Sequence, residues 1–378
     1  AAEEMPRRML QVLADVGLDG YEKRQISTLS GGEKQRLGLA SQLVAGAEWL
    51  LLDEVLAQVD PAQSRALVRL IAKLQKTHGF SVLAVDHHLE YWQDYADDFY
   101  LLAADGTLRA GPEACRSFTP ADWAEAGVIA RGSRRFEAAA LRKAGASADA
   151  NCAPEPLLTA ENLKLSRGGR TLLEGASFTL DSGKIYALTG HSGAGKSSLL
   201  LTLAGFLPYE GRLTGPCAPV KRRRFRKKSA GASSSRLLFQ NPQDQFVEDT
   251  VRDELLFTLK RRFPGDEKKQ KAEAVRLLKE HRLWTWRRYA PFQLSEGQQR
   301  RLAVLCLLAE NGRLLLCDEP FYAQDLRNEA AIMQELQDAA SARGAAVLFT
   351  THDPELAKAY ADVLMKMEGE RLYAKRLR

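Results

Sequence analysis

The sequence predicts an α/β protein built from two related copies of one domain, of which the second is complete and the first is truncated. Three observations support this: a repeat with a constant offset, a glycine-rich loop between a strand and a helix, and short continuous apolar runs. Such apolar runs are typical of strands buried on both faces of a parallel sheet. A chain of 378 residues is long enough for roughly two to three domains.

The repeat is visible in landmarks that recur at one spacing. Leu29–Leu43 (LSGGEKQRLGLASQL) matches Leu294–Leu308 (LSEGQQRRLAVLCLL), an offset of 294 − 29 = 265 residues. Because no insertion interrupts this offset, we interpret the chain as a duplication. The same offset relates Asp53-Glu54 to Asp318-Glu319, Asp60 to Asp325, and His87 to His352.

The two copies differ in length. Residue 1 corresponds to residue 266, so Leu157–Gly265 has no counterpart upstream. We therefore predict a partial domain over residues 1–130, without a phosphate-binding loop, and a complete domain over residues 157–378. Residues 131–156, rich in Ala, Gly, Ser, Arg and Pro, are predicted to form a flexible, exposed linker. Residue 1 is not methionine, and two interpretations stay open: a first copy shortened in nature, and a sequence that begins partway into a longer protein.

A phosphate-binding loop is predicted at Gly190–Ser198. GHSGAGKSS fits G-x-x-x-x-G-K-[ST], and it follows an apolar strand and precedes a helix. Glycines let the backbone curl so that its N–H groups point at phosphate oxygens, and the helix N-terminus adds positive potential. We expect Lys196 to reach the β- and γ-phosphates and the Ser197 hydroxyl to ligate Mg²⁺. The residues expected to bind the nucleotide here are Gly190, Ser192, Gly193, Ala194, Gly195, Lys196, Ser197 and Ser198.

An acidic pair closes the apolar run Leu314–Cys317. Asp318 is expected to hold Mg²⁺, directly or through water, and Glu319 to polarise the attacking water as general base. An acidic pair at a strand end is a weak signal by itself. Its position 318 − 196 = 122 residues after the loop lysine, among the other landmarks, makes it a strong one.

At LSGGE and LSEGQ the chain resembles ATP-binding cassette (ABC) ATPases, which have a P-loop NTPase fold with a helical subdomain. The resemblance covers nearly the whole chain outside the predicted linker, and it implies ATP and Mg²⁺ as ligands. It also implies that Gln240 touches Mg²⁺ and the water, and that His352 is the switch histidine on the γ-phosphate. Three departures are visible: Arg167 where an aromatic residue usually stacks on adenine, Val55 in place of a proline, and Glu296 in place of a signature glycine.

In this family two domains, of one chain or of two, pair head to tail, and each nucleotide lies between one P-loop and the opposite signature. The first signature would then face the second P-loop. A helix N-terminus with bare glycines presents N–H donors to a phosphate held by another surface. The residues that the resemblance assigns to this role are Ser30, Gly31, Gly32, Glu33 and, at the D-loop, Asp60.

The branch of the family is indicated by Phe239–Phe246 (FQNPQDQF) and by EVLAQVDP and EPFYAQD around the D-loops. These segments are similar to the ATPases of energy-coupling factor importers, which take up vitamins, cobalt or nickel. The similarity implies an integral membrane partner whose helix docks beside Gln240, and a cytoplasmic location at the membrane. The alternative is a soluble tandem-cassette ATPase acting on ribosomes, but the short linker disfavours the charged helical hairpin typical of such proteins.

Composition adds few constraints. The net charge is +6, from 54 basic and 48 acidic residues, which is too small to identify a partner. The five cysteines show no CxxC spacing, so we expect neither a disulfide framework nor an oxidising compartment, and we expect Cys306 and Cys317 in the core. No apolar run approaches the roughly 18 residues of a membrane span. We interpret the basic run Lys221–Lys228 as a solvated loop, with lipid headgroups as the alternative, and expect no nucleic-acid partner.

Overall fold

The computed structural model describes residues 4–56, 61–103, 105–145, 154–219, 234–322 and 324–377. Asp60, Cys152 and Lys221–Lys228, on which the sequence carries expectations, lie outside the described residues. The chain divides into two compact units. The first unit comprises residues 1–136 with 325–327, and the second comprises residues 137–324 with 328–378.

The first unit alternates helices and strands. Strand β1 pairs in parallel with β2, with Leu51 opposite Leu83, and β3 pairs antiparallel with β4. Its core packs helix α3 against one face of β1 and β2, around Leu50, Val68 and Ile71. The elements are α1 (Glu4–Asp15), α2 (Gly31–Ala45), β1 (Trp49–Asp53), α3 (Pro61–His78), β2 (Ser81–Val85), α4 (Leu89–Trp92), β3 (Leu101–Leu102), β4 (Leu108–Ala110), α5 (Pro112–Arg116) and α6 (Pro120–Ala126).

The second unit is an α/β domain with two sheets. A six-stranded sheet has the order β13-β12-β7-β11-β10-β9, parallel apart from β13, and β6-β5-β8 form an antiparallel sheet. The strands are β5 (Pro156–Arg167), β6 (Arg170–Asp181), β7 (Ile185–Thr189), β8 (Glu210–Thr214), β9 (Ser235–Leu238), β10 (Leu314–Cys317), β11 (Ala346–Thr350), β12 (Val363–Glu368) and β13 (Arg371–Arg376). The helices are α8 (Lys196–Leu203), α9 (Val251–Arg262), α10 (Glu267–Glu280), α11 (Glu296–Ala309), α12 (Leu326–Arg343) and α13 (Pro354–Tyr360).

The predicted buried strands are confirmed. All four residues of β10 and all five of β11 are buried, because helices cover one face of the large sheet and the antiparallel sheet with α8 covers the other. Parallel strands end at the same edge of a sheet, and ligands of such folds bind beyond that edge. The P-loop follows β7, Gln240 follows β9, Asp318 and Glu319 follow β10, and His352 follows β11.

The predicted linker differs from the structure. Residues Ser133–Gly145 form helix α7, in which Ala138 is buried in the core of the second unit. The sequence there, SRRFEAAALRKAG, is rich in alanine and other residues with high helix propensity, and these outweigh the small-residue pattern that favoured a flexible segment. The expectation of a flexible, exposed segment is therefore wrong for this part of residues 131–156.

The cysteines lie as expected where the structure describes them. Cys306 is 8% exposed and Cys317 fully buried, and both pack in the large core of the second unit. Burial raises the pKa of both thiols. Cys115 and Cys217 are free and buried as well. None of the helices in the described part of the chain has the length and apolar character that crossing a membrane requires.

Candidate functional site: a nucleotide cleft in the second unit

The P-loop curls where its glycines stand. Gly190, Gly193 and Gly195 have φ values of +156°, +78° and +100°, a region that residues with a Cβ rarely adopt. A Cβ on Gly190 would lie 2.8 Å from the carbonyl oxygen of Met367, so the strand neighbour also requires glycine there. Helix α8 begins directly after Gly195, which directs its free N–H groups into the loop.

Lys196 extends its side chain back over the loop. Its Nζ donates to the carbonyl oxygens of Gly190 at 2.8 Å and His191 at 3.1 Å, and lies 3.4 Å from His352 Nδ1. The residue is 6% exposed, so the ammonium group is held at the centre of the curl. A positive charge in this position suits a phosphate chain bound along the loop.

Asp318 is a buried carboxylate behind the loop. It is 7% exposed, and burial raises its pKa, while hydrogen bonds from Ser197 and Thr350 act in the opposite direction. Thr350 Oγ1 donates to Asp318 Oδ1 at 2.6 Å. Sequence analysis missed Thr350, because a threonine at the end of an apolar strand is brought opposite Asp318 only by the pairing of β10 with β11. The carboxylate and the Ser197 hydroxyl form an oxygen donor set of the type that Mg²⁺ prefers.

Glu319 and His352 form a close pair. Glu319 Oε1 lies 2.5 Å from His352 Nε2, and the two side chains are only 12% and 21% exposed. Glu319 has a φ of +49°, which is uncommon for a residue with a side chain, and its N–H donates to Thr350 Oγ1 at 2.9 Å. This conformation aims the carboxylate out of the strand toward the cleft. A carboxylate in such a position can accept a proton from a water molecule.

Gln240 lies on a segment fixed by a buried arginine. Arg300 of α11 is 1% exposed, and it donates to the carbonyl oxygen of Phe239 at 3.0 Å and to that of Gln240. Burial lowers the pKa of this guanidinium group. Sequence analysis missed Arg300, because a basic residue after LSEGQ looks like an exposed position of a surface helix. Its role becomes visible only when α11 packs against the end of β9.

Gln240, Glu319, His352 and part of the P-loop line one cavity of about 370 Å³, and Arg167 is a lining residue as well. Leu172 is a lining residue that sequence analysis missed. Gly190 and Ala194, which were expected to bind the nucleotide, are not among the residues that line the cavity. Ala194 is 5% exposed and packs in the core. The cavity is lined by Arg167, Leu172, Ser192, Gly193, Gly195, Lys196, Ser197, Ser198, Gln240, Glu319 and His352.

The first unit carries a well-formed signature. Ser30 is the N-cap of α2, Glu33 N–H donates to Ser30 Oγ at 3.4 Å, and Ser30 N–H donates to Glu33 Oε2 at 2.7 Å. The Tyr21 hydroxyl donates to Glu33 Oε1 at 2.8 Å. Hydrogen bonds from the Ser30 backbone and side chain, with that of Tyr21, lower the pKa of Glu33 to about 2. Gly31 and Gly32 are the first two residues of the helix. Because glycine has no side chain, none covers the N–H groups of these two positions.

The first unit also repeats the acidic–histidine pair. Glu54 Oε1 lies 2.9 Å from His87 Nε2, and Glu54 has a φ of +45°, close to that of Glu319. Both side chains are 47% exposed, whereas those of Glu319 and His352 are mostly buried. The duplicated sequence therefore builds the same local geometry twice, in two different surroundings.

A model of the ABC transporter family matches residues 2–57 and 173–322, which together make up more than half of the chain. The chain belongs to the ABC transporter family. As a member of this family it is an ATP-binding protein with ATPase activity, and the predicted family and fold are confirmed.

The relatives of this ABC ATPase include a Bacillus subtilis protein described as "Putative HMP/thiamine import ATP-binding protein YkoD". It is 32% identical over an alignment of 400 positions, and the alignment covers 96% of this chain and 68% of the relative. Among solved structures, cbiO1 of Clostridium perfringens, part of the ABC transporter complex cbiONQ, is 23% identical with a TM-score of 0.50, covering 59% of this chain and 89% of that one.

A second solved structure is a complex of an archaeal ribosomal stalk protein with an archaeal ribosome recycling factor. It is 20% identical with a TM-score of 0.64, and the match covers 98% of this chain and 69% of that one. Identities this low, in both structures, show a shared fold and nothing more.

Outside the cleft, the second unit of the ABC ATPase carries exposed apolar side chains near Gln240. Val247, Tyr289 and Phe292, called the apolar patch below, are 67%, 47% and 56% exposed. The Phe292 ring lies 6.3 Å from that of buried Phe246, and the Val251 N–H donates to the carbonyl oxygen of Tyr289 at 3.0 Å. These contacts join the segment after Gln240 to the segment before the second signature.

Glu254 holds the shape of this segment. It is 4% exposed, its Oε2 accepts from the N–H groups of Val247 at 2.8 Å and Glu248 at 2.9 Å, and burial raises its pKa. A loop fixed by a buried acceptor keeps Val247 directed outward. An exposed apolar surface of this kind, on a defined backbone, is typical of a site for a protein partner.

Proposed function

We propose that this chain hydrolyses Mg²⁺-ATP to power an importer of the energy-coupling factor type, which takes up a vitamin or a metal ion. The observation that carries this proposal is the apolar patch of Val247, Tyr289 and Phe292, on the segments that follow Gln240 and precede the second signature. Support also comes from the segment Phe239–Phe246 and from the thiamine-import description of the B. subtilis relative. The chain would act on the cytoplasmic face of the plasma membrane, bound to integral membrane subunits.

Mg²⁺ is proposed to bind at Ser197, Asp318 and Gln240. The carboxylate of Asp318 has its Oδ1 fixed by Thr350, and Ser197 hydrogen-bonds to the same carboxyl group. Mg²⁺ is bound in such sites by one or two protein oxygens together with substrate phosphates, and it neutralises the charge that develops on the transferred phosphoryl group. Glu319 would accept the proton of the attacking water, and His352 would hold Glu319 in place and contact the γ-phosphate.

The opposite wall of the active site is proposed to be a signature such as Ser30–Glu33. Its capping box keeps the Ser30 backbone and the start of α2 in one conformation. Gly31 and Gly32 leave the N–H groups of the first turn accessible to an anion. Such a pairing, within one chain or between two, would couple ATP binding to closure of the two domains.

Site-specific crosslinking tests the membrane partner. A Val247→Cys variant, in native membranes and with a short thiol-reactive crosslinker, is expected to yield one adduct whose partner is a polytopic membrane protein, identified by mass spectrometry. Tyr373→Cys, which is also exposed but lies on β13, is the matched control and is expected to yield no such adduct. An adduct with a ribosomal protein would replace the importer with the ribosomal alternative.

A further inference from the structure

The positive charge of this protein is concentrated in one stretch of the second unit. Residues 251–293, from the start of α9 to the second signature, contain 12 basic and 6 acidic residues. Their excess, 12 − 6 = 6, equals the net charge of the whole chain, so the remaining residues carry equal numbers of both signs. A local excess of this kind favours an anionic partner at this stretch.

The acidic residues of helix α10 neutralise the cations on the helix but not those at its end and beyond. Glu267 pairs with Lys271, and Glu273 and Glu280 both pair with Arg276. Four later cations, three exposed and one half-buried, form no ion pair with any residue that the structure describes. This group, called the basic surface below, consists of Lys279, Arg282, Arg287 and Arg288.

Trp284 holds two of these cations close together. Lys279 Nζ lies 5.6 Å and Arg287 Cζ 4.4 Å from the centre of the Trp284 ring, and Arg287 Nη1 donates to the carbonyl oxygen of Trp284 at 3.1 Å. The ring is partly buried and packs against the large core of the second unit. Cations stacked on an aromatic ring are attracted to it, so these two charges share one fixed support.

Arg282 occupies a turn position that favours glycine. Its φ is +57°, and the N–H of the next residue, Leu283, donates to the carbonyl oxygen of Leu278 at 2.8 Å. This bond closes the end of α10, and glycine is the usual residue at the left-handed position of such a turn. Leu283 is fully buried and anchors the turn. What arginine adds here is an exposed positive charge, since the turn itself would form more readily with glycine.

The basic surface is continuous with the apolar patch. The Arg252 N–H donates to the carbonyl oxygen of Arg287 at 3.1 Å, which fixes this segment beside the start of α9. Tyr289 of the apolar patch directly follows Arg288, and its ring lies 5.2 Å from that of Trp286. Basic residues next to an exposed tyrosine are typical of protein surfaces at the headgroup level of a membrane.

We propose that the basic surface binds the anionic headgroups of a lipid bilayer, beside the membrane subunit that the apolar patch contacts. The proposal rests on the importer function proposed above, which brings this chain to a membrane. Phosphate groups of the lipids supply the negative charges that no described carboxylate supplies to these four residues. A nucleic acid fits less well, because bases stack on exposed ring faces, whereas Trp284 and Trp286 pack against the core.

Vesicle sedimentation tests this contact. The full chain is expected to bind vesicles of phosphatidylglycerol and phosphatidylcholine in equal parts, and not vesicles of phosphatidylcholine alone. A variant with Lys279→Gln, Arg282→Gln and Arg288→Gln should bind the anionic vesicles roughly 100-fold more weakly, because each basic residue near such a surface contributes about fivefold. Its ATPase activity should be unchanged, which shows that the variant is folded.

A second triple variant is matched to the first in charge. Arg212→Gln, Arg371→Gln and Lys375→Gln remove three cations from exposed positions of β8 and β13, and should leave vesicle binding nearly unchanged. The run Lys221–Lys228 is also basic, so both triple variants are measured again in a chain whose seven basic residues there are glutamine. The difference between the two triple variants should persist in that chain.

Arg282→Gly separates charge from fold. The variant should melt at the same temperature as the original chain or higher, because glycine adopts a positive φ freely. It should nevertheless bind anionic vesicles about fivefold more weakly, since one cation is lost. Unchanged vesicle binding by this variant would show that Arg282 has no part in lipid contact.

Three outcomes would overturn the proposal: no binding of the original chain to anionic vesicles, equal binding to neutral ones, or equal weakening in both triple variants. Loss of the Val247 adduct in the first triple variant, with vesicle binding unchanged, would overturn it as well, because an acidic segment of the membrane subunit would then be the occupant. The vesicles contain no protein, so this measurement is separate from the crosslinking that tests the importer function.

Discussion

His352 Nε2 lies 2.5 Å from Glu319 Oε1, a contact that joins the ends of β10 and β11 at the edge of the nucleotide cleft. Glu319 has a left-handed backbone conformation, and its N–H donates to Thr350 Oγ1. Together these position the carboxylate for the contact with His352. The other ring nitrogen of His352, Nδ1, lies 3.4 Å from Lys196 Nζ. His352 thus connects the phosphate-binding loop to the proposed general base.

Glu319→Gln is expected to retain ATP binding and to lower turnover by about 10²- to 10⁴-fold, because an amide cannot accept the proton of the attacking water. Steady-state ATPase assays and nucleotide titration measure the two quantities separately. Glu355→Gln, which replaces a carboxylate just beyond His352 on α13, is the control and should turn over normally. Near-normal hydrolysis by Glu319→Gln would exclude its role as base.

Lys196→Ala should weaken ATP binding by about ten- to a hundred-fold, since a charge-assisted hydrogen bond contributes roughly 1.5–3 kcal/mol. Calorimetric titration measures the change. The exposed Lys375 of β13 provides a control, because Lys375→Ala removes the same charge away from the cleft. Equal affinity in the two variants would contradict the placement of the phosphates.

Arg300→Met should destabilise the second unit by about 1–3 kcal/mol, because the carbonyl groups of Phe239 and Gln240 lose their buried donor. The released Gln240 segment should lower kcat more than it raises the KM for ATP. Urea unfolding and ATPase kinetics measure both effects. Arg288→Met, at an exposed position, is expected to change neither. A stable variant with unaltered kcat would show that Arg300 does not position Gln240.

Gly32→Asp should abolish cooperative ATPase activity while leaving nucleotide affinity of the P-loop close to normal, because a carboxylate would meet the γ-phosphate at the proposed signature. Gly38→Asp introduces the same side chain on the same helix, in open space, and is the matched control. Hill coefficients and single-turnover rates distinguish the variants. Loss of activity in both would indicate a damaged helix α2 rather than a phosphate contact.

Acid stability of the first unit should depend on Glu33. Its folded-state pKa is about 2, against an ordinary value of 4.5, so its stabilising contribution is present above pH 4.5 and is lost as the pH falls toward 2. In Glu33→Gln the neutral amide keeps the capping box, as Gln298 does in the second signature. The free energy of unfolding, measured by urea titration, should therefore fall less steeply in this variant between those pH values. Parallel pH profiles for both proteins would contradict the assignment.

Much of this protein follows from local sequence. The strands at Leu314–Cys317 and Ala346–Thr350 appear as uninterrupted apolar runs, because their two faces are both covered. The curl of the P-loop is predicted by the glycines at positions 190, 193 and 195, because few other residues adopt their positive φ values. The 265-residue offset revealed the duplication, and the order of motifs along the chain indicated the nucleotide site.

Other features were decided only by tertiary structure. Arg300 and Thr350 act through neighbours 60 and 32 residues away in the chain, and no local pattern distinguishes them from a surface arginine and a strand threonine. Trp49 and Leu51 of β1 are exposed, whereas Leu314 and Leu316, their counterparts at the 265-residue offset, are buried. The sequence determines which faces of a strand or helix carry apolar side chains. Whether another element covers them depends on the partner that the fold brings against that face.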